Sequence, residues 1–180
     1  KIIGVYDLND DLISLSEENS FYSILKKNIN KFDFIIVADY GHGIITKKIR
    51  NLISQKGNKL FLNTQINSFN RGYHTVFKYK KMNTLVINEG ELRFELRDKY
   101  SPIPNLAKKL SKKISVQKVI VTRGKLGAVL VNCKNNSVIS CPGFSQNNVD
   151  TIGAGDTFFG MCSLSIGSKI DSTISMLIGS

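Results

Sequence analysis

The residues best suited to chemistry lie near the C-terminal end, in Asp150-Thr-Ile-Gly-Ala-Gly-Asp156 followed by Thr157-Phe-Phe-Gly160. Gly153 and Gly155 free the backbone for a path on which successive N–H groups converge on one point. The path leads into a helical pattern from Asp156 to Ile166, and a helix N-terminus adds about half a positive charge there. Such a turn binds an anion, for example a phosphoryl group in transfer. Asp156 then places a carboxylate at the mouth of an anion site, which is unfavourable unless the carboxylate has a task. The task available is to accept the proton of an attacking hydroxyl. A plain glycine turn with an aspartate capping a helix is the competing reading of the same residues.

The elements that must position these residues alternate along the chain. Phe34–Ala38, Leu60–Leu62, Thr84–Ile87 and Val119–Thr122 are short apolar runs that read as buried strands, and 45–55 and 103–114 have apolar residues at helical spacing. Residues 128–131 and 137–140, joined by the polar stretch Asn132 to Asn136, read as a hairpin. Asp171 to Ile178 has the start signals of a helix. Continuous apolar strands separated by helices indicate a mostly parallel sheet covered on both faces. Ligands of such sheets bind beyond the carboxyl ends of the strands.

DTIGAGD followed by an aromatic residue and glycine resembles the C-terminal signature of the PfkB/ribokinase family of sugar and nucleoside kinases. The resemblance implies an α/β fold, ribokinase-like and three-layered, with a mostly parallel central sheet. It implies transfer of the ATP γ-phosphoryl group to a sugar or sugar-phosphate hydroxyl, with Asp156 as base and the backbone of Gly153, Ala154 and Gly155 as anion hole. Asp150 would be structural, near a monovalent-cation loop. Thr122-Arg-Gly-Lys-Leu-Gly127 resembles the turn that flanks the adenine nucleotide, with Thr122, Gly124 and Gly127 at matching positions. Asn88-Glu-Gly-Glu91 matches an NxxE element in which Asn88 and Glu91 would organise Mg²⁺ and its waters.

Ala38-Asp-Tyr-Gly-His-Gly43 resembles the turn of the heptose-phosphate kinase branch, found in bifunctional sugar kinase/nucleotidyltransferases. It makes Asp39 and His42 candidates for the substrate side; Asp39 equally suits a cap for the next helix, and His74 reads as an ordinary half-buried ring. After the next strand, Asn63-Thr-Gln65 stands where many heptose-kinase relatives have Asp-Pro-Lys. Asn63 is a further substrate-side candidate, and either Arg71 supplies the missing charge to a substrate phosphate or the acceptor differs. A non-catalytic nucleotide- or sugar-phosphate-binding domain of a fused bifunctional enzyme is the alternative function.

Composition narrows the partners. The net charge is +11, from 25 basic and 14 acidic residues, and 20 of the basic residues are scattered lysines with no interleaved stacking aromatics. That pattern reads as solvated surface with attraction for small anions rather than a nucleic-acid interface. No unbroken apolar stretch suits a membrane span. Three cysteines without CxxC spacing (Cys133, Cys141, Cys162) argue against a metal or disulfide framework and for a reducing cytoplasm. A homo-oligomer is expected.

The chain begins at Lys1 and ends at Ser180 inside a helical pattern. It therefore reads as one partial kinase domain over 1–180, incomplete at its N-terminus. Residues 1–20 would be a strand returning from a lid, and 30–180 the nucleotide and phosphoryl-transfer core. A segment that grips the sugar has no counterpart, and positioning of that kind is worth roughly 7–11 kcal/mol of a barrier. The isolated 180-residue chain is accordingly expected to bind ATP weakly and to show no sugar-dependent ADP release; turnover that Asp156→Asn abolishes would contradict this.

Overall fold

The computed structural model describes residues 11–66, 70–144 and 153–180, and the expected alternation of strands and helices holds throughout them. The helices are α1 (Leu15–Asn28), α2 (Lys47–Ser54), α3 (Glu89–Leu96), α4 (Ile103–Ser111), α5 (Ala154–Gly167) and α6 (Ser172–Gly179). The strands are β1 (Ile35–Asp39), β2 (Leu60–Thr64), β3 (Lys81–Asn88), β4 (Ser115–Thr122), β5 (Ala128–Asn132) and β6 (Val138–Cys141). They form one sheet in sequence order. β1 to β4 are parallel, and β4–β5–β6 continue antiparallel through the hairpin.

Strand order equal to chain order, with parallel pairing, requires crossovers of one hand, and right-handed crossovers place their helices on one face. The packing agrees. Leu60 and Leu62 of β2, Leu85 and Ile87 of β3 and Val119 and Val121 of β4 join Ile49, Leu92 and Leu106 from α2, α3 and α4. The alternate residues Phe61, Val86 and Ile120 face the other way, against Phe158, Phe159, Cys162 and Met176 of α5 and α6. All five residues of β2 are buried, as a strand covered on both faces must be. The result is the three-layer α/β arrangement expected from sequence.

One expectation changes near the start of the chain. Residues 1–10 of the proposed returning strand lie outside the described residues, and from Leu15 the chain is helical. Ser14 and Glu17 form a capping box, each satisfying the other's backbone N–H. α1 buries no residue completely, so its signal lies in its capping rather than in apolar periodicity. α3 likewise begins with a box, made by Asn88 and Glu91.

Gly127 shows how the hairpin is fixed to the nucleotide-side turn. Its φ is +79°, and an added Cβ would fall 2.1 Å from the Cys141 carbonyl oxygen and 2.5 Å from Pro142. The turn therefore meets the end of β6 backbone to backbone. Gly127→Ala combines left-handed strain with a clash against main chain and should destabilise the fold by about 2–4 kcal/mol. Urea unfolding checks this; a loss below about 0.5 kcal/mol would mean the turn tolerates a side chain.

Candidate active site

Every sequence motif with chemical promise lands at the carboxyl edge of the parallel strands. Asp39 ends β1, Asn63 and Thr64 end β2, Asn88 ends β3 and Thr122 ends β4. Register keeps these ends level, with Asp39 opposite Thr64 and Asn88 opposite Thr122. α5 starts at the same edge, so Asp156 in its first turn meets side chains from the strand ends.

Tyr40 donates its hydroxyl to Asp156 Oδ1 at 2.8 Å, and Gln65 Nε2 donates to the same oxygen at 2.9 Å. These two partners were not identified from sequence as contacts of Asp156. Gln65 is held in turn by its backbone N–H, which donates to the Asp39 carbonyl at 3.1 Å. One residue further on, the Ile66 N–H donates to Glu91 Oε1 at 2.9 Å. Asn70 Nδ2 donates to the carbonyls of Tyr40 (2.8 Å) and Gln65 (3.2 Å), tying the two turns together.

The glycine turn differs from expectation in one respect. Gly153 is left-handed, with φ +79°, and is the N-cap residue of α5. Gly155 has ordinary helical geometry, and a Cβ there would meet no described neighbour within 4 Å. Only the first glycine therefore meets a conformational demand. The first helical bond runs from the Thr157 N–H to the Gly153 carbonyl at 2.9 Å. The N–H groups of Ala154, Gly155 and Asp156 precede that ladder at the site. Asp150 lies outside the described residues.

Asn88 and Glu91 both cap α3. Asn88 Oδ1 accepts from Gly90 N–H at 2.8 Å, and Glu91 Oε2 accepts from Asn88 N–H at 3.2 Å. Burial raises the Glu91 carboxyl above its usual 4.5, while its two backbone hydrogen bonds oppose the shift. Between these residues, Glu89 accepts from Arg93 at 2.7 Å and from Arg123 at 2.8 Å. The hydrogen bonds from Arg123 and then Arg93 hold Glu89 below the usual carboxylate range. Arg123 follows Thr122, so this pair joins the NxxE element to the turn containing Gly124 (φ +56°) and Gly127. Among the described residues no three His, Cys, Asp or Glu side chains cluster as metal ligands.

The substrate-side candidates separate. Asp39 is buried; Oδ1 accepts from Gly41 N–H at 3.0 Å and Oδ2 from the Tyr79 hydroxyl at 2.8 Å. It therefore closes its own turn, and Thr46 caps α2 in its place. His42 stacks against Tyr40 with ring centroids 6.5 Å apart. His74 is buried rather than half-buried. Its Nε2 lies 3.1 Å from the Asp39 carbonyl oxygen, and burial holds the ring below its usual 6.5. Asn63 Nδ2 donates to the Val86 carbonyl at 2.9 Å, and its buried Oδ1 has no hydrogen-bond partner. Arg71 sits over the Phe94 ring at 5.2 Å.

A family model for pfkB carbohydrate kinases matches residues 7–163. The chain belongs to the pfkB carbohydrate kinase family. Its curated relatives include bifunctional protein HldE of Aliarcobacter butzleri, 28% identical over 92% of this chain and 34% of that protein. HldE of Helicobacter acinonychis is 26% identical over 88% of this chain and 33% of that protein. Phosphofructokinase-2 of Escherichia coli in complex with potassium has the same fold, at TM-score 0.70 and 16% identity, covering 93% of this chain and 54% of that one. Arabidopsis thaliana ribokinase, solved with ribose and ATP, is similar at TM-score 0.64 and 16% identity, covering 92% and 50%. This pfkB chain thus spans about a third of the curated relatives' length and about half of the solved kinases.

The Tyr40–Asp156 contact has a direct signature. Burial first, and then the hydrogen bond and charge of Asp156, raise the Tyr40 phenol above its usual 10.0. An NMR titration of its ring should therefore show ionisation above that value, falling back towards it in Asp156→Asn. Identical Tyr40 curves in both proteins would rule the contact out.

Proposed function

We propose that the chain carries the phosphoryl-transfer side of an ATP- and Mg²⁺-dependent carbohydrate kinase whose acceptor is a sugar or sugar-phosphate hydroxyl. The observation that carries this reading is the Asp156 carboxylate. It stands beside the N–H groups that precede the α5 ladder, with Oδ1 held by Tyr40 and Gln65. Oδ2 is left to take the hydroxyl proton. The hydroxyl oxygen then bonds to the γ-phosphorus, and ADP leaves with the electron pair of the broken bond. The N–H groups of Ala154 and Gly155, in the turn opened by Gly153, receive the charge on the moving phosphoryl group. Without an anion at that point, a carboxylate in the first turn of a helix would simply complement the helix N-terminus; its two donors, from the turns that follow β1 and β2, give it an orientation that this does not need.

Asn88 and Glu91 suit Mg²⁺ held through waters and substrate phosphates, because Mg²⁺ keeps several waters and needs few protein ligands. Their oxygens already accept backbone N–H groups, which fixes both side chains at the start of α3, beside the carboxyl end of β3. The ion would neutralise charge on the nucleotide phosphates. Thr122, Gly124 and Gly127 would flank the nucleotide. Ribose and ATP in the Arabidopsis ribokinase, and potassium in the E. coli phosphofructokinase-2, support use of ATP and of a monovalent cation. The bifunctional naming of the HldE relatives supports a fused second domain, read from sequence as a nucleotidyltransferase. A tetrameric form of the E. coli enzyme supports a homo-oligomer, and three free thiols accord with the cytoplasm. Among the described residues no helix is long and apolar enough to cross a membrane.

A positioned base contributes roughly 10²–10⁴-fold to a rate. In the full-length polypeptide, Asp156→Asn should lower kcat for sugar-dependent ADP release by that order while the KM for ATP stays within about twofold. Near-normal kcat in the variant would remove Asp156 from the role of base, and the kinase reading with it.

A further inference from the structure

Asp156 is exposed in the first turn of α5, and a carboxylate so placed turns about its own side-chain bonds unless neighbours hold it. Its two donors hold it differently. Tyr40 delivers its hydroxyl at 2.8 Å from the end of a ring stacked against His42. Gln65 delivers its amide to the same oxygen at 2.9 Å. A glutamine has three rotatable side-chain bonds, so its reach is directional only where its backbone is fixed.

That backbone is fixed at three successive points. The Gln65 N–H donates to the Asp39 carbonyl at 3.1 Å, and the Gln65 carbonyl accepts from Asn70 Nδ2 at 3.2 Å. The next N–H, that of Ile66, donates to Glu91 Oε1 at 2.9 Å. Gln65 and Ile66 therefore form a two-residue step that touches Asp156 through a side chain and Glu91 through the main chain. Asn70 Nδ2 also donates to the Tyr40 carbonyl at 2.8 Å, so the turns that supply the two donors are tied to each other.

Exposed hydrogen bonds of this kind add little to folding; their effect is angular. One donor leaves a carboxylate to rotate about the contact. A second, arriving at the same oxygen from another turn, fixes the carboxylate plane and with it the direction of Oδ2. The chemical type of the donor matters as well. A neutral amide orients the carboxylate and leaves its charge, whereas an ammonium in the same place would favour the ionised form and weaken the group as a base.

We propose that Gln65 is a positioning residue for Asp156, aiming the base from a step in the chain whose other contact is Glu91. The catalytic meaning of this rests on the kinase reading; the contact itself does not.

The test uses Gln65→Met, which keeps the length of the side chain and removes the donor, and Gln65→Asn, which keeps the donor and shortens its reach. In the full-length polypeptide each should lower kcat for sugar-dependent ADP release about tenfold and leave the KM for ATP within about twofold, a misplacement of about 1 Å being able to cost roughly a hundredfold. The melting temperature should stay at the wild-type value. In the Asp156→Asn background the same substitutions should have no further effect, because a residue that acts through the base then has nothing to aim. Unchanged kcat in Gln65→Met, or a proportional loss that persists in Asp156→Asn, would overturn the positioning role. A second measurement needs no turnover. In ¹⁵N NMR spectra of the 180-residue chain, the Gln65 side-chain NH₂ signals, assigned by their loss in Gln65→Met, should move in Asp156→Ala. Signals that stay in place would overturn the contact. Normal turnover in Asp156→Asn would sink the kinase reading and leave the NMR result as it is, so the two failures are separable.

Discussion

The parallel register of β1 to β4 is the constraint on which the rest depends. Parallel pairing forces each chain reversal through a crossover, so all four strands end at the same edge. Asp39 opposite Thr64 and Asn88 opposite Thr122 are consequences of that register. A shift of one residue would turn Asn63 and Asn88 to the opposite faces. It would also separate Gln65 from Asp156 and Ile66 from Glu91. The hydrophobic alternation that sets the register, with Leu60 and Leu62 against one helical layer and Phe61 against the other, therefore also sets the site.

The edge is stitched together by short polar contacts rather than by a large apolar interface. Tyr40 and Gln65 hold Asp156, Ile66 is held by Glu91, and Glu89 joins Arg123 to Arg93. The Glu89 pairs are partly exposed, so each is worth little on its own. Their effect is directional: each loop after a strand is tied to its neighbour, and the donors around Asp156 are placed before any ligand arrives. Glu91 is the costlier member. A carboxyl raised by burial favours folding most where it is protonated, below its usual 4.5, and that advantage is lost as pH rises through its folded value. At neutral pH Glu91 is thus retained at some expense to stability, as expected of a group with a role beyond capping.

Several features were legible in the sequence because they depend on local pattern. The four parallel strands are short runs of buried apolar residues, and the hairpin has a polar turn with Asn136 left-handed. DTIGAGD placed the glycine turn that leads into α5, with its aspartate, at the strand edge; that Asn88-Glu-Gly-Glu91 also caps a helix after β3 only the structure shows. α1 was not found from apolar spacing because no residue of it is fully buried; Ser14 with Glu17 was the signal available. Gly155 was credited with unusual geometry that belongs to Gly153 alone, since a sequence does not tell which of two glycines takes positive φ.

What the sequence alone determined was the kind of protein: strand and helix order, and the motifs that meet at the carboxyl edge of the strands. These follow from periodicities of two and 3.6 residues and from turn chemistry, all of which act within a few positions of the chain. Tertiary structure alone decided the partners. Tyr40 and Gln65 reach Asp156 across 116 and 91 residues, Asp39 turns inward to Gly41 and Tyr79 rather than capping α2, and Arg71 lies on Phe94 while Lys47, Arg50 and Lys78 surround a cavity. A polar side chain on a loop can satisfy itself in many ways with little difference in local energy. Which way it takes is set by the backbone that packing brings within about 3 Å, and no spacing along the chain encodes that distance.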